Sequence, residues 1–232
     1  IFDSALLAAV AMRLKPEISA QSMDKLLYDV EIPLAYVLAD MENVGVRVDA
    51  DGIREYGAVL GKEIDALQNE IYNMVGYEFN LNSPKQLSDA LFVKLGLHGK
   101  KKTKSGYSTD VEVLQSLIEE HPVIEKILYY RQISKLKSTY CDALLKVIGD
   151  DGRIHSSFNQ TETRTGRISS AEPNLQNIPV RQELGRELRK FFTASPGCLL
   201  CDADYSQIEL RVLAGVSGDK AMTEAFKNGT DI

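Results

Sequence analysis

Apolar positions recur at helical spacing over two long stretches of the chain. Residues 24–42 place Leu27, Val30, Leu34, Val37, Leu38 and Met41 close to the helical period, with Pro33 as the expected kink. The NVGVRVDADG segment predicts a short strand, Val44 to Val48, and a helix start at Asp49 or Asp51. From Ile53 to about Val75, Ile53, Leu60, Ile64, Leu67, Ile71 and Tyr72 alternate with Glu, Lys and Gln, which predicts a long amphipathic helix ending near Gly76. A shorter helix follows, with Asn82 or Ser83 as N-cap, Pro84 at its first position and Gly96 as its stop. Residues 99–108, GKKKTKSGYS, hold four lysines, two glycines and no aliphatic side chain, the composition of an exposed, mobile loop. A short helix from about Asp110 to Glu120 comes next, and Pro122 opens a second long helical stretch reaching Ile148. Two long helices with a small helical tip between them make an arm.

The pattern changes after GDDG. RIHSSFNQTETRTGRISS alternates like strands joined by a turn, and AEPNLQNIPVR, with two prolines, reads as irregular. ELRKFFTA and CLLCDADY read as two strands around the turn Ser195-Pro196-Gly197. SQIELRVLAGV and DKAMTEAFKNG return to helical spacing, so the fold class is α+β, a helical arm followed by a partial antiparallel sheet with helices.

Composition narrows the choices. The 232 residues are 44% hydrophobic and 26% charged, ordinary values that exclude a disordered or collagen-like chain. No window approaches the roughly 18 apolar residues of a membrane span, and the N-terminal stretch lacks the basic leader and cleavage site of a signal peptide. A cytoplasmic protein without a membrane partner is therefore expected. A net charge of −6 argues against a wholly basic nucleic-acid coat but leaves room for a local basic surface. Residues 122–148 are locally +3, as are residues 153–190. Cys141, Cys198 and Cys201 are too few for a disulfide framework, and the Cys198/Cys201 pair, lacking further ligands, reads as small core residues in an apolar strand.

Two segments carry candidate chemistry. In CDADYSQIELR, Asp202 and Asp204 share a face of the predicted strand, where a carboxylate can hold a divalent cation beside a polyphosphate. Equally, Asp204 or Ser206 could cap the next helix and Glu209 could be a first-turn acid favoured by the helix dipole. In TRTGRISSAEPNLQNIPVR, Arg164, Arg167 and Arg181 stand beside Asn174, Gln176 and Asn177. These donors suit phosphate oxygens and base edges, or a solvated loop bonded to its own backbone.

TGRISSAEPNLQNIPVR followed by DADYSQIELRVLAGVSGD resembles the core of the bacterial family A DNA polymerases, and KLKSTY and NSPKQL resemble thumb segments of that family. The resemblance extends from roughly Glu31 to the C-terminus. It implies a right-hand fold, with residues 1–48 a helical linker, 49–148 the thumb and 149–232 the N-terminal part of the palm. It implies a DNA-directed DNA polymerase that adds deoxynucleotides to a primer 3′ end, with two magnesium ions, primer-template duplex DNA and deoxynucleoside triphosphates as its cofactors and partners, near the bacterial nucleoid.

By the same resemblance Asp204 binds both metals, with Tyr205 offering a backbone carbonyl. Ser206 and Gln207 lie by the incoming nucleotide, and Glu209 is the steric gate against a ribose 2′-hydroxyl. Arg167 enters the minor groove at the primer end, where acceptors are common to all base pairs. Asn174, Gln176 and Asn177 contact the duplex beside it. Asn82, Ser83, Lys85, Lys137, Ser138, Thr139 and Tyr140 grip the duplex backbone.

The sequence begins at Ile1 and stops at Ile232 before the family's fingers helix and second catalytic aspartate. An excised fragment is therefore expected, inactive alone, binding magnesium weakly if at all, still able to bind duplex, and self-associating through the strand at Cys198 to Ala203. A catalytically silent duplex-binding module is the alternative.

Overall fold

The computed structural model describes residues 2–99, 102–103, 106–179 and 183–230. The chain forms two compact units, Ile1–Thr193 and Ala194–Ile232. The first opens with helix α1, Phe2–Ala20, and helix α2, Ile32–Val44. Pro33 lies in the first turn of α2, and the turn before it, Leu26–Glu31, is π-helical. The proline thus perturbs the ladder upstream, where it has no N–H to give and its ring crowds the carbonyl four residues back. Of the apolar stripe over residues 24–42, Leu38 is buried, whereas Val30, Val37 and Met41 remain exposed.

Helix α2 ends against a strand pair. Strand β1, Val46–Arg47, runs antiparallel to β4, Arg153–Ile154, with Val46 opposite Ile154. At Gly45 the chain turns with φ +59°, and a Cβ there would lie 2.8 Å from the His155 ring and from the Ile154 carbonyl oxygen, so glycine is required both by conformation and by space. The Arg153 guanidinium donates to the carbonyls of Val44 and Gly45 at 3.0 and 3.2 Å, and His155 Nδ1 donates to that of Glu42 at 2.7 Å. Basic side chains thereby satisfy the carbonyls at this helix end.

Helix α3, Ala50–Val75, matches its predicted span. Asp49 caps it by accepting from the Gly52 N–H at 3.0 Å, and Gly76 stops it in the left-handed conformation. Its buried Ile53, Leu60 and Ile71 belong to one core with Ile124, Ile127 and Ile133 of helix α6, Val123–Leu136. Beyond α6 the helical path widens and then tightens: a π-helical turn, Lys137–Asp142, precedes a 3-10 turn, Leu144–Lys146.

Between the long helices lie α4, Pro84–Ser88, and α5, Val111–Gln115, the latter shorter than its predicted span. Ser83, rather than Asn82, caps α4. The lysine-rich stretch forms a two-residue antiparallel ladder, β2, Lys102–Thr103, with β3, Gly106–Tyr107. It is anchored where Tyr107 packs on Phe92, ring centroids 5.0 Å apart, and where its N–H donates to the Ser88 hydroxyl. Of the stretch 99–108 expected to be a mobile loop, residues 100–101 and 104–105 lie outside the described residues.

Strands β5, Ser157–Asn159, and β6, Ser169–Ala171, pair antiparallel, and the 3-10 turn Leu175–Asn177 follows a cis Glu172–Pro173 bond. The fold is α+β, as its sequence pattern indicates. The expected strand ELRKFFTA is instead the end of helix α7, Glu183–Arg189, followed by a bridge from Phe192 to Val48. Leu184 and Leu188, four residues apart, give α7 one apolar face, and this outweighs the strand preference of the two phenylalanines.

In the second unit the turn at Ser195–Gly197 forms, closed by the Cys198 N–H to the Ser195 carbonyl at 2.9 Å. The expected strand through Cys198–Ala203 does not: it is irregular and exposed, Leu199 at 94%. No strand pairs with it among the described residues, and an apolar run without a ladder partner has nothing to hold it extended. Cys198 and Cys201 are likewise exposed, which overturns their reading as core residues, whereas Cys141 is buried. Helices α8, Ile208–Ser217, and α9, Lys220–Lys227, pack together, with Arg211 over the Phe226 ring at 4.6 Å. No described helix is long and apolar enough to cross a membrane.

Candidate nucleic-acid interface

The first unit carries the residues expected to face a duplex. At the tip of the arm, Ser83 is occupied as the α4 cap through the Gln86 N–H, the Asn82 amide donates to the Tyr130 hydroxyl at 3.4 Å, and Lys85 is exposed. Asn82 therefore ties the tip to α6. From Tyr130 the chain runs seven residues along α6, about 10 Å, to the π-helical turn.

That turn presents Lys137, Ser138, Thr139 and Tyr140. Ser138 and Thr139 are exposed. The Lys137 ammonium is held by the Asp142 carboxylate at 2.8 and 3.0 Å, so its charge is partly answered within its own turn. Half-exposed pairs of this kind contribute little to stability and yield readily to a competing anion. Tyr140 is buried, its hydroxyl donates to the Asn177 backbone carbonyl, and burial raises its pKa. This bond spans 37 residues and joins the arm to the 3-10 turn.

The turn itself is built by its own side chains. Asn174 Oδ1 accepts from the Gln176 N–H at 3.0 Å, while the Gln176 side chain bonds backbone groups of residues 168 and 170. Asn174, Gln176 and Asn177 are all exposed. Arg167 is exposed as well, and its carbonyl accepts from the Thr163 hydroxyl at 2.5 Å. Arg181 lies outside the described residues.

A cleft of about 680 Å³ opens where α5, α6 and the 3-10 turn meet, and Tyr140, Gln176 and Asn177 line it with Arg131, Gln132 and Lys135. None of its described lining residues carries a carboxylate. Arg131 is fixed by donating to the Thr109 carbonyl at 2.5 Å and to its hydroxyl at 3.2 Å, and burial lowers its pKa. Sequence reasoning counted Arg131 and Lys135 only toward the +3 charge of residues 122–148 and passed over Gln132. The available signal was spacing, since Arg131 and Lys135 are four apart on a helix and so share a face.

The second unit carries the acidic segment. Asp202, Asp204, Tyr205, Ser206 and Glu209 are all exposed, and Glu209 stands in the first turn of α8. Neither Asp204 nor Ser206 caps that helix. Gln207 holds the cap position at φ +52°, with no side-chain cap bond, and the Ser206 carbonyl accepts from Arg211 Nε at 2.8 Å. The left-handed backbone at 207 turns the chain so that the preceding carboxylates cannot reach the first N–H groups. Among the described residues no three His, Cys, Asp or Glu side chains come together as a metal centre. The oxygens of Asp204 and of the Tyr205 backbone are hard donors suited to magnesium, which commonly takes one or two carboxylates and completes its shell with water and phosphate.

Comparison with known proteins identifies the family. Residues 50–232 match the family described as DNA polymerase family A. The chain is 51% identical over 227 residues to DNA polymerase I of Lactococcus lactis subsp. lactis, covering 98% of this chain and 26% of that protein. It is 49% identical over 231 residues to DNA polymerase I of Geobacillus stearothermophilus, covering 99% of this chain and 26% of that protein. The chain thus spans about a quarter of the length of these curated relatives. Among solved structures it is similar to the POL domain of Pol1 from M. smegmatis in complex with DNA primer-template and dNTP, with TM-score 0.87 and 41% identity over 97% of this chain and 40% of that one.

Proposed function

Because the chain belongs to DNA polymerase family A, we propose that it is the thumb and first palm segment of a DNA-directed DNA polymerase, and that its first unit grips primer-template duplex without regard to sequence. The observation that carries this reading is the bond from Tyr140 to the Asn177 carbonyl, which closes the arm onto the 3-10 turn around a carboxylate-free cleft. Amide and guanidinium groups around such a cleft offer donors to phosphate oxygens and to the minor-groove acceptors that every base pair presents. The domain limits 1–48, 49–148 and 149–232 belong to the same proposal.

In this reading Lys85, Lys137, Ser138 and Thr139 contact the backbone, Asn82 and Ser83 shape the tip that presents Lys85, and Arg167, Asn174 and Asn177 face the minor groove. Ser206 and Gln207 lie beside the incoming deoxynucleoside triphosphate, and Glu209 excludes a 2′-hydroxyl by occupying its space. Asp204 and the Tyr205 carbonyl would contribute ligands to magnesium, which when bound activates the attacking hydroxyl and neutralises charge on the leaving group. Such a protein works on chromosomal DNA in the bacterial cytoplasm. The exposed Leu199 and Leu200 support self-association of the second unit, which light scattering across a concentration series checks.

The test is binding of the chain to two labelled primer-templates of unrelated sequence, followed by fluorescence anisotropy. Equal affinities that fall together on Arg167→Ala are expected. A strong preference for one sequence, or no binding to either, contradicts the reading.

A further inference from the structure

One side chain bonds the backbone on both sides of Ser169, just after Arg167. Gln176 Oε1 accepts from the Ser170 N–H at 3.2 Å, and Gln176 Nε2 donates to the Ile168 carbonyl at 3.0 Å. A carboxamide offers the same donor and acceptor as a peptide group. Gln176 therefore supplies to β6, whose only strand neighbour among the described residues is β5, the bonds that a further strand would make.

The other end of this link is equally fixed. The Leu175 N–H donates to the Ser170 hydroxyl at 3.2 Å, the buried Ser156 and Ser170 hydroxyls lie 2.7 Å apart, and Ser156 donates to the Pro173 carbonyl at 2.6 Å. The 3-10 turn is thus pinned to β6 at Ser170, and its glutamine reaches back along the strand toward residue 167. On the opposite side the Thr163 hydroxyl holds the Arg167 carbonyl.

We propose that Gln176 is a positioning residue, which sets the backbone of residues 168–170 and through it the Arg167 side chain, and that it does not contact the duplex directly. This rests on the reading of Arg167 as a duplex-binding residue. It separates Gln176 from Asn177, whose side chain forms no bond with the strand and whose carbonyl is taken by Tyr140.

The experiment uses the chain of residues 1–232 and a fluorescein-labelled primer-template. Wild type, Gln176→Ala, Arg167→Ala and the double variant are titrated by anisotropy, and backbone hydrogen exchange is measured on each free protein. Gln176→Ala is expected to weaken binding about three- to tenfold, the scale of one or two lost hydrogen bonds. In the Arg167→Ala background the same change is expected to have no further effect, because the two residues act as one unit. Additive losses would make Gln176 an independent contact and overturn the proposal.

In the free protein, the Ser170 amide is expected to exchange faster in Gln176→Ala while the Leu175 amide, held by the Ser170 hydroxyl, keeps its protection. Unchanged exchange at Ser170 would also overturn the proposal. Should wild type fail to bind the duplex, the duplex reading falls by itself, and the Ser170 exchange rate still decides whether Gln176 holds the strand.

Discussion

Replacing glycines of α3 with alanine sets helix propensity against packing. Gly52, Gly57 and Gly61 all lie within α3, and alanine gains about 1 kcal/mol of propensity over glycine in a helix interior. The space at each differs. A Cβ at Gly61 would meet only the flexible Lys137 Cε at 3.5 Å, and one at Gly57 would touch Cys141 Cβ at 3.3 Å. At Gly52 it would lie 2.6 and 2.7 Å from Phe191 ring carbons and 2.7 Å from Asp49 Oδ2.

Those neighbours of Gly52 cannot step aside cheaply. Asp49 is the cap of α3, its N–H donates to the Phe191 carbonyl at 2.8 Å, and the Phe191 ring packs on Tyr56, whose hydroxyl donates to the Leu184 carbonyl at 3.1 Å. Overpacking costs about 1–3 kcal/mol and a lost cap about 1 kcal/mol. Set against the propensity gain, Gly52→Ala is expected to destabilise by about 1–3 kcal/mol. Gly61→Ala is expected to stabilise by up to about 1 kcal/mol, with Gly57→Ala between them. Urea unfolding followed by far-ultraviolet circular dichroism reads all three, and melting temperatures should move by about 2–4 °C per kcal/mol. If Gly52→Ala matches or exceeds the stability of wild type, the close seating of Phe191 on the start of α3 is wrong.

Tyr140→Phe removes the hydroxyl that joins arm to turn and should cost about 0.5–1.5 kcal/mol in urea unfolding and weaken duplex binding, so an unchanged value in both measurements would contradict the bond's role. Maleimide labelling of the native chain should modify Cys198 and Cys201 but spare Cys141, because Cys141 is buried and burial pushes its thiol up to about 11; reaction of all three thiols would contradict this packing. The carbonyl of Glu42, and then the Asp151 carboxylate at 3.2 Å, hold the pKa of His155 above its usual 6.5. The stability this lends is therefore fully present below that value and lost as pH rises through the higher folded pKa, and His155→Gln should flatten the stability profile across that window.

The helices α3 and α6 were legible because each repeats its apolar residues on one face over many turns, and Asp49 and Gly76 punctuate α3 with chemistry that needs no tertiary context. The candidate site was legible as segments, through TGRISSAEPNLQNIPVR, KLKSTY and DADYSQIELR. How those segments are joined was not. The bond from Tyr140 to Asn177 connects residues far apart in sequence through a backbone carbonyl, which every residue has, and no side-chain pattern announces it. For Gln176 the residue pattern left a duplex contact and a bond to its own backbone both open, because a glutamine on a polar loop looks the same in either case, and only the structure shows its amide on residues 168 and 170. Helix α7 was misread because Phe191 and Phe192 favour a strand locally, and the competing signal, Leu184 with Leu188, spans barely one turn. The Cys198–Ala203 run reads as a strand by composition, but a strand exists only with a neighbour to pair with.

The central claim is that the first unit holds duplex DNA by its phosphates. The most direct measurement is the affinity of the chain for a primed duplex across a series of salt concentrations. If Lys85, Lys137 and the cleft cations Arg131 and Lys135 neutralise about four phosphates, the logarithm of the binding constant should fall with the logarithm of salt at a slope near −4. Lys85→Ala should reduce that slope by about one. A binding constant that stays flat from low to moderate salt would contradict the claim.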